Sequence, residues 1–225
     1  MRIDDATLEA RFRVIGSDLW SDEDGFAESV EKTGITGVCG SGIIEVISEL
    51  VRTGLVDQAG VIPGSMAEGT NRVVPDERTF SYVLHEDLHI TQADIRAIQL
   101  AKAALRAGIE LLLEHAELTT VDDVRIAGAF GAHIDPPHAI MLGLIPPVDP
   151  GVVKAVGNSA GTGAARVLLS MAQRAEMERA VDEVTKIETA IEPRFQEHFV
   201  EALGFPFSPT PVSYTHLTLP TILLV

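Results

Sequence analysis

"VRIAGAFGAHI", Val124 to Ile134, is the stretch on which the fold turns. Four residues suited to a strand, Val124 to Ala127, run straight into Gly128-Ala129-Phe130-Gly131. A strand that ends on paired glycines lets something approach the backbone, because no Cβ stands in the way. Upstream, "TQADIRAIQLAKAALRAGIELLLEHA" reads as a long helix. Thr91 and Asp94 have capping-box spacing, with Asp in place of the usual Glu. Ile95, Ile98, Leu105, Ile109 and Leu112 recur at helical period, which predicts the buried stripe. Downstream, Asp135 is placed to cap a short helix with Pro136 in its first turn, and Gly143 ends it.

Farther out, the same grammar repeats. "GVCGSG" (Gly37–Gly42) opens a helix whose Ile43, Ile44, Ile47, Leu50 and Val51 share a side, with Gly54 as its stop. "GNSAGTG" (Gly157–Gly163) feeds another helix, followed by an acidic one, by "KIETAIE" as a candidate strand, and by the amphipathic "PRFQEHFVEALGFP". Arg11–Gly16 and Arg78–Leu84 read as strands. Helix, strand, glycine turn and helix in repetition indicate an α/β layered fold.

Bulk properties narrow the function. A formal charge of −16 argues against nucleic acid or an anionic membrane as partner, and permits docking to a basic protein surface. No run of eighteen apolar residues occurs, and Met1-Arg-Ile-Asp-Asp does not read as a signal peptide. One cysteine, Cys39, excludes an internal disulfide framework and any cluster or zinc site built from this chain's thiols alone. A cytoplasmic, reducing location fits these features.

Each motif has two readings. The three glycine turns, with Gly40, Ser41 and Gly42, Gly128 to Gly131 and Asn158, could present N–H groups and helix N-termini to a phosphate or nucleotide. They could equally let helices pack closely on a sheet. None continues as Gly-Lys-Ser/Thr and none is G-x-G-x-x-G, which disfavours a P-loop and a Rossmann site. His133, Asp135 and His138 form H-x-D-x-x-H, but a helix cap explains Asp135 better than a metal does. Cys39 is expected to be a small buried residue rather than a reactive thiol. No G-x-S-x-G elbow or other nucleophilic set is present, and no catalytic residue stands out.

Taken in order, "TGVCGSGIIEVISEL", "ITQADIRAIQLAKAAL", "RIAGAFGAHIDP…GLIPP", "GNSAGTGA" and "PRFQEHFVEALGFP" resemble the C-terminal domain of the reductive activators of corrinoid-dependent enzymes, over about residues 1–208. The resemblance implies the second lobe of an actin-like, sugar-kinase and Hsp70-type (ribonuclease H-like) ATPase fold, incomplete in this chain. It implies ATP as ligand and a [2Fe-2S] cluster in a separate N-terminal domain, which reduces Co(II) corrinoid to Co(I) for methyl transfer. The partner it implies is a corrinoid protein or corrinoid methyltransferase, with a homodimer as a further assembly.

Carried over, Gly128, Ala129, Phe130 and Gly131 would lie against the base and ribose of the nucleotide. Gly40, Ser41 and Gly42 would face the cleft between lobes, and Asn158 would open the packing turn of the terminal helix. A small-molecule kinase lobe and a non-catalytic interaction lobe are the competing readings. The chain departs from the family in lacking a cysteine cluster, a D-x-G-T phosphate motif and a second phosphate loop, as a fragment cut at its front would. Glu117 stands where family members often place glycine, which calls for a different helix cap. Residues 209–225 are expected to be a disordered, non-native tail: the first ten residues of "VSYTHLTLPTILLV" (Val212–Val225) resemble a translated sequencing adapter.

Overall fold

The computed structural model describes residues 1–128 and 131–205. The chain opens with a two-stranded antiparallel ribbon, β1 (Arg2–Ile3) and β2 (Ala10–Arg11), followed by the short helix α1 (Phe26–Val30) and by α2 (Gly40–Arg52). An antiparallel meander of β3 (Val73–Asp76), β4 (Thr79–His85) and β5 (Leu88–Ile90) leads into the long helix α3 (Gln92–His115). Then β6 (Val124–Ala127), α4 (Pro136–Leu142) and β7 (Val153–Gly157) form a parallel β-α-β unit, with Val124 opposite Val153. Helices α5 (Ser159–Leu169), α6 (Met171–Glu183) and α7 (Phe195–Glu201) complete the order.

The largest core lies between α2, the meander and the start of α3, where Ile47, Leu50, Val51, Tyr82 and Ile95 are all sealed from solvent. Each such side chain contributes about 1.5–3 kcal/mol of burial. The Tyr82 hydroxyl donates to the Leu8 carbonyl at 2.8 Å, so the ring's polar end is satisfied as it enters the core. A second cluster of Val124, Ala139, Ile140, Ile145 and Val148 fixes α4 on the inner side of β6.

Helix α3 starts on the capping box its sequence predicts: Thr91 Oγ1 accepts from Asp94 N at 3.2 Å, and the Asp94 carboxylate accepts from Thr91 N at 2.9 Å. Its buried stripe differs from the predicted one. Leu105 and Leu112 are exposed, while Gln99, Lys102 and Arg106 are buried beside Ile95 and Ile109. The reason is the segment after α7. Gln99 Nε2 donates to the carbonyls of Ala59 (3.0 Å) and Leu203 (2.8 Å), and Lys102 donates to the carbonyl of Gly204. Burying these polar side chains is tolerated because each finds backbone carbonyl partners in the segments packed against it.

The end of α3 also departs from expectation. Glu117 adopts the left-handed conformation (φ 55°), its N–H bonds the Glu114 carbonyl, and Leu118 N bonds the Leu113 carbonyl at 2.9 Å. This is the same Schellman cap that glycine would make, so no different cap is needed. Glutamate accepts the left-handed strain instead. Glu117→Gly is expected to stabilise the protein by about 1 kcal/mol, relieving that strain. Thermal melting should show a rise of roughly 2–4 °C.

Two predicted strands are not strands. Beyond Arg11 the segment to Gly16 is irregular, because Phe12 bonds Ser21 instead of extending β2: Ser21 N donates to the Phe12 carbonyl at 2.8 Å, and Phe12 N donates to Ser21 Oγ at 3.1 Å. "KIETAIE" forms no strand pairing among the described residues, and Ile191 is 75 % exposed. Alternation alone leaves a strand's N–H and C=O groups unpaired unless an edge is at hand. The proposed tail, 209–225, lies outside the described residues.

Candidate functional site

The parallel pair β6–β7 sets the site. Its carboxyl ends are joined past the last residue of β6, where Gly128 N donates to the Gly157 carbonyl at 2.8 Å. Gly128 has φ +97°, which disfavours any L side chain, yet a Cβ there would meet nothing within 4 Å. Among the described residues, conformation and not crowding calls for glycine, and the space beside it is open. Gly131 is the opposite case. A Cβ would sit 2.6 Å from Ile126 Cγ2 and 3.1 Å from the Ile126 carbonyl carbon. The chain folds back onto its own strand there, and Ala132 N bonds the Gly128 carbonyl at 3.3 Å. Ala129 and Phe130 lie outside the described residues.

Asn158 follows Gly157 directly and joins this edge. Its Oδ1 accepts from Gly161 N at 2.9 Å and caps α5. Gly128, Gly131 and Asn158 thus meet at the carboxyl ends of two parallel strands, where open α/β sheets place ligands. Gly40, Ser41 and Gly42 lie elsewhere. They begin α2, where Cys39 Sγ accepts from Gly42 N at 3.3 Å. Gly42 and Cys39 line a cavity of about 270 Å³ with Phe12, Val14, Leu84 and Leu88, and no residue of the β6–β7 edge takes part in it. Cys39 is exposed, against the expectation of burial, and its Sγ caps the first turn of α2.

The H-x-D-x-x-H run is structural. His138 is buried between α2 and α4, with Nδ1 2.9 Å from Ser48 Oγ and Nε2 in contact with the Arg2 guanidinium. Asp135 sits at the N-cap position without making a cap bond; its carboxylate lies 3.6 Å from His138 Nε2 and 3.9 Å from Arg2. No group of three or more His, Cys, Asp or Glu placed to hold a metal occurs among the described residues.

Arg2 can only donate, so His138 Nε2 accepts and Nδ1 carries the proton. Burial first, and then the charge of Arg2, hold the imidazole below its ordinary 6.5. The unfolded chain therefore takes up the proton first, and stability present above about 6.5 is lost as pH falls through it. Denaturant midpoints should drop between about pH 7.5 and about pH 5.5, and His138→Gln should flatten that part of the slope.

Sequence reasoning missed a second cavity, of about 480 Å³, between α3 and α7, lined by Lys102, Arg106, Leu113, His198 and Phe205. Its signal was the pair of cations one turn apart, Lys102 and Arg106, on a face that helical period assigned to solvent. Burial and the neighbouring Arg106 push the Lys102 ammonium down to about 7. No helix among the described residues is long and apolar enough to cross a membrane.

Comparison with known proteins places the chain in a family. The corrinoid activation enzyme RamQ of Eubacterium limosum is 38 % identical over 187 residues, covering 76 % of this chain and 31 % of RamQ. A solved structure, a reductive activator for corrinoid, iron-sulfur protein, superposes with a TM-score of 0.72 at 30 % identity, over 92 % of this chain and 33 % of that one. The chain spans about a third of the length of either. The family described as the C-terminal domain of RACo, the ASKHA domain, matches residues 1–214, and the chain belongs to that family.

Proposed function

We propose that this chain is the nucleotide-facing and partner-docking lobe of an ATP-dependent reductive activator, which returns Co(II) corrinoid to Co(I) for methyl transfer. The observation that carries this reading is the β6–β7 edge, where Gly128 leaves open space, Gly131 folds tightly back and Asn158 caps α5. Those residues fit adenosine: a base and ribose can lie along Gly128 to Gly131, with the N–H groups of α5 nearby. ATP supplies the driving free energy when bound. This chain's own residues supply shape and backbone donors.

A [2Fe-2S] cluster takes four cysteine ligands, and Cys39 is a single thiol, so the residues present do not fit the cluster. We assign the cluster, and the electron it passes on, to another part of the parent protein. The partner is a corrinoid protein or corrinoid methyltransferase in the cytoplasm, met through a basic face that complements the −16 charge. An interaction role for the same lobe is favoured by one further observation: α5 and α6 pack on each other and leave Leu168, Leu169 and Met171 each more than three-quarters exposed.

The test uses the full-length parent with a Co(II) corrinoid protein, followed by visible absorption. Formation of Co(I) only when reductant and ATP are both present is the expected result. Reduction that ignores ATP would overturn the nucleotide role, and phosphorylation of a small molecule with Co(II) unchanged would replace the reading with a kinase.

A further inference from the structure

The cavity between α3 and α7 shares no residue with the β6–β7 edge among the described residues. Its volume of about 480 Å³ lies in the range of small-molecule sites. One wall is apolar, formed by Leu113, Leu118 and Phe205. On the other wall Lys102 and Arg106 stand on successive turns of α3, 2 % and 6 % exposed.

The charges are not evenly compensated. Arg106 pairs with Glu110 at 3.1 Å. Glu114 pairs with Arg194, His198 Nε2 lies 3.1 Å from Glu114 without a hydrogen-bond partner among the described residues, and Glu201 lies 3.9 Å from His198 Nδ1. Lys102 alone on this wall has no carboxylate within ion-pair distance among the described residues. Its ammonium donates to the Gly204 carbonyl and stands 4.9 Å from the centroid of the Phe205 ring. An ammonium has three protons, and a carbonyl and an aromatic face leave it short of a counter-ion. Buried charges in proteins are otherwise paired. Burial accordingly pushes this group down to about 7, a cost that an incoming anion would reverse.

We propose that this cavity binds a small organic oxyanion, with its carboxylate or phosphate on Lys102 beside Arg106 and its apolar body against Leu113, Leu118 and Phe205. The carboxylates Glu110 and Glu114, paired with Arg106 and Arg194, and the exposed Glu201 repel an anion and confine its charged end to Lys102.

Calorimetric titration of the chain with butyrate, and separately with inorganic phosphate, tests the site and separates its two head groups. Saturable binding of at least one probe, with a dissociation constant on the order of 1 mM or tighter, is expected. Lys102→Met keeps the contact with Phe205 and removes the charge, and should weaken binding about tenfold or more, whereas Lys102→Arg should retain it. Absence of saturable binding of both probes to the unmodified chain overturns the proposal, as does unchanged affinity in Lys102→Met. Should Lys102→Met fail to fold, mass mapping of lysine acetylation in the unmodified chain decides. The bound probe should slow acetylation at Lys102 and leave Lys32, Lys154 and Lys186 unchanged. Binding with all four rates unchanged overturns the proposal.

Discussion

Arg52→Leu is expected to destabilise the protein by about 3 kcal/mol, because it leaves a buried carboxylate without its counter-charge. The Glu49 side chain is 3 % exposed and pairs with Arg52, its Oε1 accepting from Nε at 3.1 Å and its Oε2 from Nη2 at 3.0 Å. Oε2 also accepts from Ile3 N at 2.8 Å. The same guanidinium donates to the Ile3 carbonyl at 2.6 Å, so one side chain both neutralises α2 and holds β1 against it. Arg52 is itself a third exposed, which keeps the expected cost at the lower end for a broken buried pair. Urea denaturation measures it. The double variant Arg52→Leu/Glu49→Gln should recover part of the loss, since glutamine carries no charge and still accepts from Ile3 N. A double variant no more stable than Arg52→Leu would show that the lost contacts to Ile3, not the stranded charge, set the cost.

Gly131→Ala is expected to cost about 2–3 kcal/mol by overpacking. The new methyl would lie 2.6 Å from Ile126 Cγ2, and also 3.1 and 3.2 Å from the Ile126 carbonyl carbon and oxygen. A side chain can turn aside, but backbone in a strand paired to β7 cannot. Adding Ile126→Ala should therefore relieve only part of the loss. Gly128→Ala differs in kind: the space is open, and the φ of +97° alone imposes a smaller cost of about 1–2 kcal/mol. Thermal melts of the three variants separate crowding from conformation. If Gly131→Ala melts with the unsubstituted protein, the close return of the chain onto β6 is wrong, and with it the shape proposed for the nucleotide wall.

Much of the fold could be read from local pattern. The capping box at Thr91 and Asp94, the glycine stop at Gly143, the helix opening at Gly40 and the strand Val124–Ala127 each depend on residues within a few positions of one another. Local rules decide such elements because their hydrogen bonds close over three or four residues. The family resemblance rested on the same short motifs in order, and the match over residues 1–214 agrees with it.

What local pattern could not decide is which surfaces meet. The sequence by itself determined the long helices, the strand Val124–Ala127, the glycine turns, the acidity and the single thiol. Only the tertiary structure decided that Gln99 and Lys102 face inward, because their partners are carbonyls more than a hundred residues away, at Leu203 and Gly204. It alone brought Asn158 beside Gly128 through the β6–β7 pairing, and placed Gly40 to Gly42 at the start of α2, with Gly42 on a cavity that no described residue of that edge lines. It also showed that Asp135 makes no cap bond and that His138 is buried against Ser48 and Arg2. The physical reason is common to all of these: burial and hydrogen-bond partners are properties of three-dimensional neighbours, and periodicity within a segment carries no record of what will pack against it.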